Sequence, residues 1–437
     1  MFLTYVALLL LFFGSYNVYG LMKSNQHDKV VTCYIASWAA YRPGNGAFSL
    51  ENLQPKYCTH LIYAFAGLNA SDWTIRSIDP WGDIEKEGIG NYRKMTMLRK
   101  QGLKVLLGIG GWNEGSTNYS MMASSPDSRK TFIASTVKFL STYEFDGLDL
   151  DWEFPGNRGG AAYDKQNFVK LVQELRDVFK QHLLLTAAIS ANKNIINTGY
   201  DIPEISKYLD YIHVMAYDYH GAWDKQVLPN TPLRSKDQLS VEDTITYLLQ
   251  QGAPAEKLVL GLAMYGRTFV LTSAPETPNI NPIGLPSLHI GFKGPYTSED
   301  GFMGFNEICE ALILHPQEWT TGWDNYSSTA YAIKKDRVVV YDDRKAIMMK
   351  VEYVKRQKLA GVMIWSIDTD DFRGKCSSLQ SYPLMKSINI VLANNTIPHE
   401  EKKIPNSSSV QLPSNIVFAL SIMISFSVYE NIYLHHK

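Results

Sequence analysis

Four acidic residues stand within eight positions of an apolar, strand-like stretch with the sequence FDGLDLDWEFPG at 145–156. Because a strand sends alternate side chains to the same face, Asp149, Asp151 and Glu153 point the same way, about 7 Å apart along the chain. Asp146 is out of phase and faces elsewhere. Like charges this close in a partly dry site cannot all ionise freely, so these carboxyl groups should share a proton and the pKa of at least one should rise. The stretch predicts a general acid that works near neutral pH.

Two other structures could explain so many acids. An exposed acidic strand predicts acids on both of its faces, and a calcium loop predicts a turn centred on Gly with carboxylates at every second position. We favour the buried catalytic row over both.

Eight short apolar runs divide the chain, and eight is the strand number of a TIM (β/α)8 barrel. Several runs are apolar almost throughout, as parallel strands buried on both faces are, and helical patterns lie between them. The runs are 30–35, 60–65, 104–109, 145–151, 184–189, 211–217, 258–264 and 361–366, and the helical patterns include 128–143, 164–180, 241–251 and 343–357. The pattern predicts an α/β barrel, with an apolar stripe on 164–180 that includes Phe168, Leu171 and Val178.

The seventh and eighth runs begin 103 residues apart, at 258 and 361, about twice the usual spacing between neighbours. A structureless surface loop of that length would be rare. We therefore expect an α+β insertion domain at 267–340, within a catalytic region that covers 21–392.

Composition fits a large exported enzyme. The chain has 437 residues, 45% of them hydrophobic, with a formal net charge of -1. This charge balance predicts no nucleic-acid partner and no anionic substrate, and a neutral polymer fits better. Residues 1–20 carry an apolar run followed by small and polar residues, which predicts a signal peptide and secretion.

The C-terminal region has a different composition from the rest. Residues 393–415 are polar and read as a linker, and 416–437 form a tail whose apolar part is short for a membrane span. The tail resembles a glycolipid-anchor signal, although its end is polar. We favour release of the protein outside the cell. The alternative is anchoring at the cell surface, and only in that case do we expect the protein to associate with a membrane.

The four cysteines, Cys33, Cys58, Cys309 and Cys376, are an even number in a chain expected to be exported, and three disulfide pairings are open. Their spacing lacks the C-x-x-C of common metal sites. Five sequons predict glycosylation, at Asn69, Asn118, Asn325, Asn394 and Asn406.

The pattern Asp-x-x-Asp-x-Asp-x-Glu at 146–153, with its flanking Phe, Trp, Pro and Gly, resembles the signature of glycoside hydrolase family 18, the chitinases. Gly-Gly-Trp at 110–112, Met-x-Tyr-Asp at 215–218 and Trp365 resemble further motifs of that family at matching positions. Phe154 departs from the Tyr of many relatives, which removes a hydroxyl and keeps the ring. The resemblance spans residues 30–390 and implies the barrel, an insertion domain that walls a substrate groove, and the disulfides Cys33–Cys58 and Cys309–Cys376.

Active sites of such barrels lie where the strands end, so residues just past each run are candidates. Pyranose rings have apolar faces and polar rims, so aromatic planes supply contact area while a few polar groups fix orientation. By resemblance, the substrate-binding residues are Tyr34, Phe65, Gly111, Trp112, Asn113, Met215, Trp223, Arg267 and Trp365. For the tryptophans, simple core packing is the alternative.

One strand cannot place carboxylates on both sides of a glycosidic bond, and the chitinase family is an exception to the two-carboxylate mechanism. The resemblance implies substrate-assisted retention, in which Glu153 protonates the glycosidic oxygen while the sugar's N-acetyl carbonyl attacks C1. It also implies roles for the neighbours: Asp151 orients the acetamide, Asp149 beneath it holds a proton, Tyr217 binds the acetamide carbonyl, Asp218 and Met215 shape the pocket, and Asp146 braces the loop.

The substrate expected from this resemblance is chitin or chito-oligosaccharides, cleaved by a monomer without a cofactor or metal. Two rivals stay open. One is a lectin-like or growth-factor-like protein that binds without hydrolysis, and the other is an endo-β-N-acetylglucosaminidase that acts on N-glycans.

Overall fold

The computed structural model describes residues 27–277, 280–376 and 380–394. The predicted signal peptide, the apolar tail, Asn406 and most of the predicted linker lie outside these residues. Within them, none of the helices combines the length and the apolar character needed to cross a membrane.

The described strands form two sheets. In chain order they are β1 Val30–Ala36, β2 His60–Asn69, β3 Thr74–Ser77, β4 Lys104–Gly110, β5 Gly147–Asp151, β6 Leu184–Ser190, β7 Tyr211–Met215, β8 Leu258–Ala263, β9 Tyr265–Val270, β10 Phe302–Gly304, β11 Thr320–Asp324, β12 Thr329–Lys334, β13 Arg337–Tyr341 and β14 Gly361–Trp365.

The larger sheet is a closed parallel barrel of eight strands. Its order is β1, β14, β8, β7, β6, β5, β4 and β2, and the pairing of β2 with β1 closes it. These strands are the eight predicted runs, so the predicted TIM barrel is confirmed. The hairpin strand β3, which pairs antiparallel with β2, was not predicted.

The described helices surround the barrel, apart from one that belongs to the insertion. They are α1 Pro80–Asp83, α2 Asn91–Thr96, α3 Thr117–Ser124, α4 Pro126–Tyr143, α5 Asp164–Phe179, α6 Lys193–Gly199, α7 Ile202–Tyr208, α8 Val241–Gln250, α9 Phe305–Leu314, α10 Arg344–Arg356 and α11 Pro383–Leu392. The four predicted helices correspond to α4, α5, α8 and α10. On α5 the buried stripe contains Phe168, Leu171, Val172, Leu175 and Phe179. Val178 was wrongly placed in it, since it lies beside the stripe and is 52% exposed.

The smaller sheet is the predicted insertion between the seventh and eighth barrel strands. It is antiparallel, with the order β10, β9, β13, β12, β11, and α9 packs with it. The sheet begins at Tyr265 and ends at Tyr341, slightly outside the predicted limits of 267 and 340. The sheet extends past these limits because Tyr265 on β9 pairs with Gly304 on β10, and Gly266 on β9 pairs with Tyr341 on β13.

Alternation along the barrel strands creates two buried layers. On β1, Val31, Cys33 and Ile35 join the large apolar layer under the helices. Val30 and Tyr34 instead belong to a smaller cluster with residues of other barrel strands. Because both faces of each strand are buried, few inward positions are polar, and those that are deserve a chemical explanation.

The structure contains the two disulfides that the resemblance implies. Cys33 on β1 is bonded to Cys58 just before β2, and Cys309 on α9 is bonded to Cys376 after β14. Asp371 lies beside the second disulfide in a group with the spacing of a metal site, but both sulfurs are bonded to each other.

Four of the predicted glycosylation sites lie in the described residues. Asn118, Asn325 and Asn394 are exposed, and Asn69 is half-buried at the end of β2. The Asn69 side chain accepts hydrogen bonds from the backbone and hydroxyl of Ser71. Whether any of them is glycosylated stays a prediction.

Candidate active site

The acidic row lies where β5 ends. Asp149 and Asp151 belong to this strand, and Glu153 follows two residues later. Alternation along the extended chain directs the three side chains to the same side, as predicted. Asp149 is 0% and Asp151 4% exposed, and Glu153 at the outer end of the row is half-buried.

Asp149, the deepest of the three, is surrounded by hydrogen-bond donors from other barrel strands. Its Oδ2 accepts from the Tyr34 hydroxyl at 2.5 Å, and its Oδ1 accepts from the Thr186 hydroxyl at 2.5 Å and lies 2.9 Å from His213 Nδ1. Both carboxylate oxygens are therefore occupied.

Asp151 has a different environment. Its Oδ1 is buried and has no hydrogen-bond partner within the protein. Burial, reinforced by the neighbouring Glu153 and Asp149, raises the pKa of Asp151 well above its usual range. A protonated Asp151 with an uncommitted oxygen can donate or accept towards a ligand.

Glu153 lies at the opening of the row to the groove. Burial raises the pKa of Glu153 to about 7, against the opposing charge of Arg158 and with a further increase from Asp218. Glu153 and Asp151 interact strongly enough that their protonation is a property of the pair. The predicted rise of at least one pKa in the row is thus present, and Glu153 can hold a proton near neutral pH.

Asp146, predicted to face elsewhere, does so. Its Oδ2 accepts from the Val105 backbone N–H at 2.9 Å, and its Oδ1 accepts from Arg99 Nε at 3.0 Å. These contacts fix the start of β4 against β5 and lie outside the groove.

A groove with a volume of about 1320 Å³ crosses the carboxyl ends of the barrel strands. It has the depth and the mixed aromatic and polar lining of a small-molecule or oligomer site. The predicted residues that line it are Tyr34, Phe65, Gly111, Trp112, Asn113, Asp151, Glu153, Met215, Tyr217, Asp218, Trp223, Arg267 and Trp365. Asp149, which is also a predicted catalytic residue, is fully buried and lies beneath the groove.

Trp365, at the end of β14, lies among other aromatic rings of the groove. Its ring centroid is 5.5 Å from that of Tyr34, 5.9 Å from Phe65 and 6.1 Å from Trp38. The position of Phe65 depends on Gly111, which has φ 84°, and a Cβ there would lie 2.6 Å from the Phe65 ring. This cluster provides an apolar platform close to the acidic row.

Trp112 and Trp223 have exposed rings at the groove, 59% and 45% exposed. The Arg158 guanidinium lies 3.4 Å from the centroid of the Trp112 ring, and it also donates to the backbone carbonyls of Trp112 and Glu153. The alternative of core packing is therefore wrong for both tryptophans, since buried rings would not be half exposed.

The insertion domain contacts the barrel at Asp218. Its Oδ1 accepts from the Tyr265 hydroxyl and from Arg267 Nε, both at 2.7 Å. The Arg267 guanidinium also lies 5.2 Å from the Trp223 ring. Asp218, in the loop after β7, and Tyr265 and Arg267 on β9 thus form one wall of the groove.

Tyr217 lies between that wall and the acidic row. Burial, with the nearby charges of Asp151 and Asp218, raises the pKa of Tyr217 well above its usual range, so it is a neutral hydroxyl. Its hydroxyl lies 3.7 Å from the Met363 sulfur, a weak acceptor, and is available to a ligand. Met215 lines the groove two residues before it.

Several residues of the groove were not predicted, among them Trp38, Arg158 and Glu299. Trp38 lies in the turn Ser37–Tyr41 directly after β1, so the rule of reading just past each run would have found it. Glu299 comes from a long loop of the insertion domain, where no local pattern marks it.

Chemically, the site offers one proton donor at the groove, a second carboxyl group behind it and a neutral hydroxyl opposite. Aromatic rings supply contact area beside these groups. This arrangement suits acid catalysis on a neutral ligand with apolar faces, such as a sugar.

The comparisons with known proteins agree with this class of site. The chain matches the sequence model of glycosyl hydrolases family 18 over residues 30–370. It therefore belongs to glycosyl hydrolase family 18.

Its relatives include chitinases. The chain is 46% identical to probable chitinase 2 of Drosophila melanogaster over 421 residues, which cover 89% of this chain and 85% of that protein. The crystal structure of the Group IV chitinase of Ostrinia furnacalis superposes with a TM-score of 0.79 at 42% identity, covering 84% of this chain and 100% of that one. Human YKL-39, described as a pseudo-chitinase with retained chito-oligosaccharide binding, has a TM-score of 0.74 at 34% identity, covering 83% and 99%.

Proposed function

We propose that this protein is a chitinase that hydrolyses the β-1,4 linkages between N-acetylglucosamine units of chitin and chito-oligosaccharides, with retention of configuration. The observation that carries the proposal is Glu153 at the groove, because partial burial raises its pKa to about 7 and so lets it both donate and accept a proton near neutral pH. Because the carboxyl groups of the acidic row all come from one stretch of chain, they cannot flank a glycosidic bond from both sides, so the substrate's own N-acetyl group acts as the nucleophile.

The reaction has two steps. In the first, Glu153 gives its proton to the glycosidic oxygen, the bond from C1 to that oxygen breaks, and the acetamide carbonyl oxygen bonds to C1. In the second, water attacks C1 of the resulting oxazolinium ion, Glu153 removes the water proton, and the acetamide is restored.

The neighbours of Glu153 have matching roles. Asp151, with its free Oδ1, accepts the acetamide N–H and stabilises the developing positive charge. Tyr217 donates its hydroxyl to the acetamide carbonyl and thereby holds it below C1. Asp218 and Met215 shape this pocket, and Trp365 supports the face of the sugar.

Trp112, Trp223 and Arg267 extend the binding site along the groove, where exposed rings can stack on further sugar units. The substrate is uncharged, in keeping with a chain whose formal net charge is -1. The groove therefore selects its polymer by shape and stacking.

Secretion is part of the proposal. The two disulfides fit an oxidising compartment, and the signal-like sequence at 1–20 provides a route to it. Retention at the cell surface through the tail at 416–437 is the alternative.

Two other functions compete with hydrolysis of chitin. The first is binding without hydrolysis. It must be tested because the similar human YKL-39 is described as a pseudo-chitinase with retained chito-oligosaccharide binding. The second competing function is cleavage of N-glycans, with Glu153 as the acid.

The test compares the full-length protein with Glu153→Gln, which has the same shape but no acidic proton, on a pentamer of N-acetylglucosamine. Glu144→Gln, which removes an exposed acid nine residues earlier, is the matched control. We expect hydrolysis by the parent and the control, and a loss of kcat of at least about a thousand-fold with binding retained in Glu153→Gln.

Binding of the pentamer without cleavage by the parent protein would show a lectin. Absence of both binding and cleavage would direct attention to N-glycans. Equal hydrolysis by the parent and Glu153→Gln would refute the role given to this residue.

A further inference from the structure

Arg158 is a residue of the groove to which the proposed mechanism gives no role in substrate binding. It lies in the turn at 156–160 after the acidic row and lines the groove together with Trp112. Its backbone has φ 49°, a left-handed conformation that residues with a long side chain seldom adopt. Such a backbone conformation beside a groove points to a function for the side chain.

The turn that carries Arg158 is held in place by a buried carboxylate. The backbone N–H groups of Gly156 and Ala161 donate to Asp164 Oδ2, at 3.1 and 2.8 Å. Asp164 is fully buried at the start of α5, and its Oδ1 accepts from the Ser120 hydroxyl at 2.7 Å. The backbone from which the Arg158 side chain extends is therefore fixed relative to the barrel.

The guanidinium of Arg158 makes three contacts. It lies 3.4 Å from the centroid of the Trp112 ring, so the planar group covers one face of the indole. Its Nη1 donates to the Glu153 backbone carbonyl at 3.1 Å, and its Nη2 donates to the Trp112 backbone carbonyl at 3.0 Å. Two hydrogen bonds and one ring contact together fix both the position and the tilt of the guanidinium.

Trp112 lies in a stretch of chain that gives its ring little support. Gly110 and Gly111 precede it with φ 112° and 84°, and Gly115 follows with φ 65°. The Trp112 side chain is 59% exposed even though the Arg158 guanidinium covers one face. The opposite face is therefore open, and an open aromatic face is the surface on which a sugar ring stacks.

We propose that Arg158 is a positioning residue that holds the Trp112 ring in place as a one-sided platform for a sugar unit, and that its planar guanidinium is needed for this. The inference rests on the proposed function, because it takes a chito-oligosaccharide as the ligand. A ring that is already ordered in the free protein loses less conformational entropy when the ligand binds. Arg158 therefore acts on substrate binding and leaves the chemical step to the acidic row.

The test uses two substitutions of Arg158. Arg158→Asn removes the guanidinium and retains a residue type that tolerates the left-handed backbone. We expect its KM for the pentamer to rise about four-fold, with kcat changed less than about two-fold. Both constants are measured on the acid side of the pH profile, where Glu153 is protonated in every variant.

Arg158→Lys keeps the positive charge but lacks the planar group and its paired donors. Its KM should rise about three-fold, while the pH at which kcat/KM falls on the alkaline side stays that of the parent. This variant separates the platform from the effect that the charge of Arg158 has on Glu153.

A double-mutant cycle with Trp112 tests whether the two residues act together. Trp112→Ala removes the platform and should raise KM about ten-fold. Adding Arg158→Asn to Trp112→Ala should then change KM less than about 1.5-fold, because no ring is left to hold.

The matched control is Lys345→Asn. Lys345 Nζ lies 3.8 Å from the centroid of the Trp323 ring, and neither residue is among those that line the groove. Its KM should equal that of the parent. The Tm of Arg158→Asn should lie within about 2 °C of the parent value, because Asp164 still holds the turn.

Equal KM values in the parent and Arg158→Asn would overturn the inference, and so would a lower Tm without a change in KM. Additive effects of Arg158→Asn and Trp112→Ala would also contradict it. A KM of Arg158→Lys equal to that of the parent would show that charge alone is enough.

Failure of the proposed function gives a different result. If the parent binds the pentamer without cleaving it, dissociation constants from titration calorimetry replace KM in the same comparisons, and the platform is still tested. A parent protein that does not bind the pentamer would overturn both proposals.

Discussion

At the residue scale, the reactivity of the site depends on the charges around Glu153. Burial raises its pKa to about 7, and Arg158 acts in the opposite direction. In its proposed role as general acid, Glu153 must be protonated to work, so we expect activity below this pKa and a loss of activity as the pH rises through it. The alkaline limb of kcat/KM is expected near pH 7 in the absence of bound substrate.

Arg158→Gln should shift that alkaline limb upwards. Removal of the positive charge makes the Glu153 proton harder to lose, and because the guanidinium is exposed the shift should be small, about half a pH unit. The pH dependence of kcat/KM on the pentamer measures it. Arg234→Gln, which breaks an exposed ion pair with Glu242, is the control. A limb that stays in place or moves down would contradict the assignment.

The same residues show how far sequence reasoning reaches at this scale. Alternation was enough to place Asp149, Asp151 and Glu153 on one side, since that rule needs only neighbours along the chain. It could not find the donors to Asp149, because Tyr34 and His213 are 115 and 64 residues away in sequence. Their proximity is a product of barrel closure.

At the scale of elements, a buried ion pair connects the insertion to the helix that follows it. Asp342 comes directly after β13, Lys350 lies on α10, and both interact with Thr231 from the loop after β7. The side chains of Asp342 and Lys350 are 0% and 1% exposed. Burial raises the pKa of Asp342 and lowers the pKa of Lys350, so each depends on the other to remain charged.

Lys350→Met should therefore lower the free energy of unfolding by about 3 kcal/mol, because it leaves Asp342 buried without a countercharge. The double variant Lys350→Met with Asp342→Leu should be more stable than the single one, since it removes both charges. Denaturant unfolding measures both. A double variant that is less stable than Lys350→Met would contradict this account.

The elements themselves were largely predictable. Strands buried on both faces read as apolar runs, and the stripe on α5 follows the helical period, apart from Val178 at its edge. The hairpin strand β3 was missed because its four residues, only half of them buried, form no apolar run. The edges of the insertion depend on pairing partners far along the chain, which composition does not reveal.

At the scale of the whole molecule, the two disulfides close loops of different length. Cys33 and Cys58 are 25 residues apart, and Cys309 and Cys376 are 67 apart. Loop-closure entropy assigns about 3.5 kcal/mol to the first and about 4.4 kcal/mol to the second. The second also ties the insertion domain to the chain after β14.

Replacing both cysteines of a pair with Ala should thus destabilise the protein in either case, and more for Cys309 and Cys376 than for Cys33 and Cys58. Calorimetric unfolding of the two double variants under identical conditions gives the order. The reverse order would show that chain entropy is not the main contribution of these bonds.

In the proposed function the whole groove serves one chemistry, with Glu153 after β5 as the acid, a nucleophile supplied by the substrate, and walls from the barrel and the insertion. The most direct measurement is the anomeric form of the first product, followed by NMR as the parent protein cleaves the N-acetylglucosamine pentamer. Substrate-assisted catalysis by Glu153 predicts the β-anomer first, with slow conversion to the equilibrium mixture. An α-anomer as the first product would mean direct attack by water and would contradict the account.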